Sequence, residues 1–218
     1  MKTRYTTTKW NNKKVILGEV EINHKKPANL LIGFHGASST PENMLVQGNR
    51  LELSNTHMIF PEGQISAGDG IWSWWEDGTG QSETVKSFIT YTSQIIDSAH
   101  EHYLNINHES KLNTCLWGFS QGGAASLPYT LLGKHPLFKV ASICGFLPEL
   151  QGSIVEKKES TQILGIFGSN DDIVPSFLAD YALDEMKSNG HSVKSKETDQ
   201  PHEVNPGNLK DLSIFFNS

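Results

Sequence analysis

At 218 residues, with a net charge of -6, a pI near 5.8 and 37% hydrophobic residues, the chain has the length of a single α/β domain with a substantial core, spanning residues 1–218. The acidic balance, and the lack of a Lys/Arg cluster interleaved with aromatics, exclude a nucleic-acid-binding surface; Lys13-Lys14 and Lys157-Lys158 read as solvated pairs. Met1 to Trp10 carries no apolar signal-peptide core and no run approaches the ~18 apolar residues that span a bilayer, so no membrane span and a cytoplasmic location are expected.

Val15 to Ile22 partly alternates and predicts an early, half-exposed strand. Leu30 to Phe34 (L-L-I-G-F) is continuously apolar, as a strand covered on both faces must be, and it ends in His35-Gly36-Ala37-Ser38-Ser39. Thr40 as N-cap and Pro41 as first helical residue open a helix to about Ser54. Met58 to Phe60 is a short strand. Glu62 to Gly80 reads as a long loop with Trp72, Trp74 and Trp75, and a loop of that length in a compact domain points to function, here a substrate-binding wall; packing onto the domain is the equal alternative for the tryptophans.

Glu83 to Tyr103 is the clearest helix, because Val85, Phe88, Ile89, Thr92, Ile95, Ile96, Ala99 and Tyr103 recur at steps of three and four. Strands follow at Thr114 to Trp117, Val140 to Phe146, Ile163 to Phe167 and Val193 to Glu197; helices follow at Gly123 onward, Phe177 to Lys187 and Asn208 to Phe216. Strands alternating with helices imply a mostly parallel sheet with helices on both faces, three layers in all, and a site outside the carboxyl ends of the strands. Cys115 and Cys144 fall in apolar runs and read as buried thiols, without the spacing of a zinc site.

The chemistry is concentrated where the Thr114 to Trp117 strand meets Gly118-Phe119-Ser120-Gln121-Gly122. The pattern G-x-S-x-G needs glycines because the turn brings strand and helix backbones together, and it leaves the serine hydroxyl exposed above the sheet with the next N–H at a helix start. Ser120 is therefore the candidate nucleophile and Gln121 N–H a candidate oxyanion donor. A serine needs a base, commonly a histidine oriented by a carboxylate, and in this topology the order is serine, acid, histidine.

Of nine histidines, only His135, His191 and His202 follow Ser120. His135 ends the helix after the serine and His191 precedes the last strand, both at the wrong end of the sheet; His202 follows that strand, at the right end. For the acid, Asp171 and Asp172 both lie in the loop after Ile163 to Phe167, and the residues alone do not separate them. The second oxyanion donor is expected after the Leu30 to Phe34 strand, with Ala37 N–H chosen and His35 read as a loop-holding residue.

With these residues placed, the chain resembles the α/β-hydrolase superfamily, and within it the small phospholipase/carboxylesterase group that includes bacterial carboxylesterases and acyl-protein thioesterases. The motifs are Phe34-His35-Gly36, Trp74-Trp75-Glu76-Asp77, Gly118 to Gly123, Gly168-x-x-Asp171-x-x-Val174-Pro175 and His202-Glu203-Val204. The resemblance places the catalytic acid on Asp171. It implies a serine carboxylesterase acting on short- to medium-chain acyl or aryl esters, possible thioesters included, with a small-molecule substrate and neither cofactor nor metal; monomer and homodimer both stay open. Ala37-Ser38-Ser39, Pro201 and Phe60-Pro61-Glu62-Gly63 depart from the group's usual pattern, which implies a remodelled substrate loop, so thioesterase action on lipidated proteins is not carried over. Lactone, amide or peptide hydrolysis, or ligand binding on a hydrolase scaffold, are the alternatives.

Overall fold

The computed structural model describes residues 3–107, 112–150 and 160–218, so Lys157-Lys158 lie outside it. In chain order the elements are β1 Arg4–Trp10, β2 Lys13–Glu19, β3 Ala28–Phe34, α1 Pro41–Gly48, β4 Thr56–Pro61, β5 Ile65–Gly68, β6 Ile71–Ser73, α2 Gln81–Asn107, β7 Leu112–Phe119, α3 Gln121–Leu132, β8 Lys139–Ile143, β9 Gln162–Gly168, α4 Ser176–Ser188, β10 Ser192–Thr198 and α5 Pro206–Asn217. Eight strands form one sheet in the order β1-β2-β4-β3-β7-β8-β9-β10, and β5-β6 is a separate hairpin. From β4 to β10 every neighbouring pair is parallel; β2 runs antiparallel to both β1 and β4.

The apolar runs end up where their composition demands. Along β3, Leu30, Ile32 and Phe34 join one core with α2, α3 and α4, whereas Leu31 joins a second core with Met44 of α1 and Leu209, Leu212 and Phe216 of α5. Alternate side chains thus serve opposite layers. Each such fully buried Leu, Ile or Phe is worth roughly 1.5–3 kcal/mol relative to exposure, before the entropy cost of ordering. Thr40 Oγ1 accepts from Asn43 N at 3.2 Å, capping α1, and Asn205 with Asn208 forms a reciprocal capping box on α5.

The topology also locates the site. After β3 the chain goes through α1 to β4 on one side, then through α2 to β7 on the other, so the crossing direction reverses at the β3/β7 pair. Phe34 of β3 is paired with Gly118 of β7, which brings the two loops that follow them to the same height.

Several sequence expectations change. The first helix stops at Gly48, well before Ser54. β1, R-Y-T-T-T-K-W, is an additional edge strand. The Glu62 to Gly80 loop contains the β5-β6 hairpin, tied back by Ser39 N to Trp72 O (3.0 Å), Trp72 N to Ser39 O (2.8 Å) and Tyr91 Oη to Glu62 O (2.9 Å). Lys13 and Lys14 are partnered rather than merely solvated: Lys14 Nζ meets Glu42 at 2.8 Å, and Lys13 Nζ lies 4.0 Å above the Trp72 ring. Both cysteines are free and buried.

Candidate active site

Ser120 stands between the last residue of β7 and the first of α3 with φ 56° and ψ -123°. A non-glycine residue in this region costs on the order of 1–3 kcal/mol, which the surroundings must hold in place. They do so tightly. A Cβ on Gly118 would overlap the Gly122 backbone, and one on Gly122 would overlap the Phe34 carbonyl oxygen, so the sharp turn is possible only with glycine at both positions. Ser120 N donates to Ile143 O at 2.9 Å, and Ser120 O accepts from Ala124 N at 2.8 Å.

His202 comes from the β10-α5 loop and reaches across to the serine. Its Nε2 is 2.9 Å from Ser120 Oγ and its Nδ1 is 2.7 Å from Asp171 Oδ2. The Phe119 ring lies against the imidazole, 4.8 Å between centroids. Asp171 is turned inward while Asp172 is exposed. Asp171 Oδ1 accepts from Ile173 N at 2.9 Å and Val174 N at 2.8 Å. Burial alone would raise the Asp171 carboxyl; the N–H of Val174, the imidazole of His202, the N–H of Ile173 and the thiol of Cys144 outweigh it and hold the group below the ordinary aspartate value. It is therefore a carboxylate facing Nδ1, which fixes the proton on Nδ1 and leaves Nε2 as an acceptor toward the serine.

The loop after β3 lies against this line. A Cβ on Gly36 would come 3.7 Å from Ser120 Cβ. Ala37 N–H and Gln121 N–H donate to no described residue. Gln121 N–H opens α3, where the helix collects partial positive charge. The Gln121 side chain is buried and holds the neighbouring segment: Oε1 accepts from Trp74 N at 2.9 Å and Nε2 donates to Trp75 O at 3.2 Å.

His35 is buried, its Nδ1 2.8 Å from Gly36 O, and burial pushes its pKa down to about 4, against the raising effects of the Gly36 carbonyl and Glu42. A neutral ring held by the next carbonyl is the loop-holding role read from the sequence.

The tryptophans divide. Trp74 is 0% and Trp75 1% exposed, both packed around Phe88, with Trp74 Nε1 donating to His35 O at 2.7 Å. For these two the packing alternative holds: they are scaffold under the loop after β3 and offer no face to a substrate. Of the three loop tryptophans, Trp72 remains partly exposed. His135 pairs with Asp97 at 3.0 Å, and His191 Nδ1 accepts from Thr161 N at 3.2 Å before β10, both away from Ser120.

Sequence reasoning passed over Gln200. Its buried amide accepts from Thr198, Asn205 and Asn208 and donates to Glu203 O and Cys144 Sγ, two residues before His202. The signal was a glutamine in a loop, which by type alone is unremarkable as a surface residue.

A mostly parallel sheet between two helical layers, with a strand–serine–helix turn at its switch point, defines an α/β hydrolase. Residues 17–218 match the phospholipase/carboxylesterase family, and the chain belongs to that family of serine hydrolases. Among solved structures it is similar to the Bacillus cereus carboxylesterase (14% identity, TM-score 0.78, 94% of each chain covered) and the Mesorhizobium loti carboxylesterase (15%, 0.77, 97% of each). It is also similar to Arabidopsis thaliana SOBER1 (22%, 0.71, 87% of this chain and 97% of that one). At these identities the likeness is one of fold. No curated protein sequence matches the chain. Among the described residues, no helix is long and apolar enough to cross a membrane.

Proposed function

We propose that the chain is a single-domain serine carboxylesterase that hydrolyses short- to medium-chain acyl or aryl esters through an acyl-enzyme. The observation that carries the reading is the unbroken line from Asp171 through His202 to Ser120, with links of 2.7 and 2.9 Å. Ser120 Oγ attacks the ester carbonyl while His202 Nε2 takes its proton, and the Asp171 carboxylate supports the imidazolium that results. The carbonyl oxygen, now negative, receives the N–H groups of Ala37 and Gln121. His202 returns the proton to the leaving alkoxide, and water repeats the cycle on the acyl-serine. A positioned base contributes roughly 10²–10⁴ in rate and each oxyanion donor roughly 10²–10³. Of the three loop tryptophans, the substrate contact is assigned to Trp72, which is partly exposed and bridged to Ser39 in the loop after β3.

The test is hydrolysis of p-nitrophenyl esters from acetate to palmitate by the wild type, Ser120→Ala and His202→Ala, with a fluorophosphonate probe alongside. Activity on the shorter esters, lost in both variants, and labelling that needs Ser120 support the reading. A wild type inert to every ester and to the probe overturns it.

A further inference from the structure

The triad stands in front of a second polar layer that the reaction itself does not use. Gln200 is 4% exposed, yet every polar valence of its amide is engaged. Oε1 accepts from Thr198 Oγ1 at 2.9 Å, Asn205 Nδ2 at 3.1 Å and Asn208 Nδ2 at 2.7 Å; Nε2 donates to Glu203 O at 2.8 Å and to Cys144 Sγ at 3.6 Å. Thr198 ends β10, Glu203 follows His202, and Asn205 and Asn208 cap α5. One amide therefore ties both ends of the loop that carries the base.

Cys144 lies just beyond the end of β8, 0% exposed, with φ 47°, a left-handed conformation that few side chains adopt. Its backbone N donates to Ile166 O at 2.8 Å, which holds it beside the strand that leads to Asp171. Its sulfur lies within 4.8 Å of a carboxylate oxygen of Asp171 and a ring nitrogen of His202, and 3.9 Å from Glu203 O. Burial, then the Asp171 carboxylate, push the thiol up to about 12, so it keeps its proton and can donate. A Cβ on Gly168, at the end of β9, would overlap Gln200 O, so the acid's strand and the base's loop are also pressed together through backbone.

We propose that Gln200 and Cys144 are a positioning pair for the acid–base couple: the Gln200 amide fixes the loop carrying His202, and the Cys144 sulfur, held by that amide, fixes the wall on which the Asp171 carboxylate rests. A space that needed only filling would be served by an apolar side chain. Here the amide's partners lie on both sides of His202, and the sulfur lies between amide and carboxylate. The inference rests on the proposed triad, and neither residue touches the reacting atoms.

Gln200→Glu keeps an acceptor for Thr198, Asn205 and Asn208 but removes both donors, and Cys144→Ala removes the thiol while Cys144→Ser restores a donor. Each folded variant is assayed for kcat and KM on a p-nitrophenyl ester. The downfield Nδ1 proton resonance of His202 is recorded in each, and also in Ser120→Ala. The expected result is a fall in kcat of tenfold or more for Gln200→Glu and several-fold for Cys144→Ala, with KM within twofold. The Nδ1 resonance should be shifted or lost in both, and Cys144→Ser should recover kcat to within about threefold and keep the resonance.

Wild-type kcat and an unmoved resonance in folded Gln200→Glu and Cys144→Ala overturn the proposal. So does a Cys144→Ser that is as slow as Cys144→Ala while both keep the resonance, which is the mark of packing alone. If Gln200→Glu fails to fold, the two Cys144 variants decide. If the wild type hydrolyses no ester, the esterase reading falls by itself, and the resonance still decides the pair.

Discussion

Asp171→Asn is the sharpest perturbation of the proposed acid–base couple, because the two carboxylate oxygens have different partners. Oδ1 accepts from Ile173 N (2.9 Å) and Val174 N (2.8 Å), and Oδ2 faces His202 Nδ1 (2.7 Å). An asparagine has one oxygen, and the two backbone donors claim it. Its NH2 must then face Nδ1, which forces that nitrogen to accept and moves the ring proton to Nε2, 2.9 Å from Ser120 Oγ. The serine would meet a donor where it needs a base. Flipping the amide to restore the productive tautomer leaves two backbone N–H groups unsatisfied, at about 1–3 kcal/mol each. The productive arrangement is thus disfavoured by about 2–6 kcal/mol, and at about 1.4 kcal/mol per tenfold kcat should fall roughly 30- to 20,000-fold. The assay is kcat on p-nitrophenyl butyrate, with ¹⁵N imidazole shifts to read the tautomer. The exposed Asp172→Asn should stay within about twofold. An Asp171→Asn enzyme that keeps more than about a tenth of wild-type kcat, or an equal loss in Asp172→Asn, refutes this account of the pair.

His35 gives a pH window. Its folded value of about 4 lies below the ordinary 6.5, so the unfolded chain binds the extra proton between the two. Stability is full above about 6.5 and declines as pH falls toward 4, by about 3 kcal/mol from this group; His35→Asn should flatten that slope in urea titrations, and an unchanged slope would show that the ring is charged in the fold. Asp171, held below its ordinary value, adds a further loss at lower pH still. Gly122→Ala sets a Cβ into the Phe34 carbonyl, and both Tm and esterase activity should drop together; normal activity would mean that the turn can widen. Trp74→Ala should cost about 3–5 kcal/mol of stability as a buried aromatic truncation, whereas Trp72→Ala should act mainly on KM; a Trp72→Ala that changes stability but not KM would return Trp72 to the scaffold.

What the sequence carried about the site was mostly order and punctuation. Gly118 and Gly122 announce a turn because no side chain fits there; chain order left His135, His191 and His202, and the end of the sheet at which each falls singled out His202. Asp171 and Asp172 are equal as residue types; their separation lies in which one the loop turns toward Ile173 N and Val174 N, and only the resemblance named it beforehand. Trp74 and Trp75 stayed open between substrate wall and core because size and apolarity suit both, and burial is decided by Phe34 and Phe88 from other parts of the chain. The β5-β6 hairpin was hidden among glycines, and β1 by its threonines and charges, although threonine-rich alternation is itself a strand signal. Gln200 was illegible because its five partners are visible only once β10, α5 and β8 meet.

β10 is the last strand of the sheet, hydrogen-bonded to β9 alone among the described strands, and most of its residues are exposed. His202, the proposed base, hangs from this margin, whereas Ser120, the proposed nucleophile, springs from the middle. Opening of such a segment takes less free energy than opening the whole molecule. Heat should therefore silence the enzyme before its core melts, and backbone amides at 193–198 should exchange with solvent through partial openings while those of β3 and β7 wait for global unfolding. The temperature at which activity fades would then measure the hold of one outlying strand, a property separate from the stability of the fold.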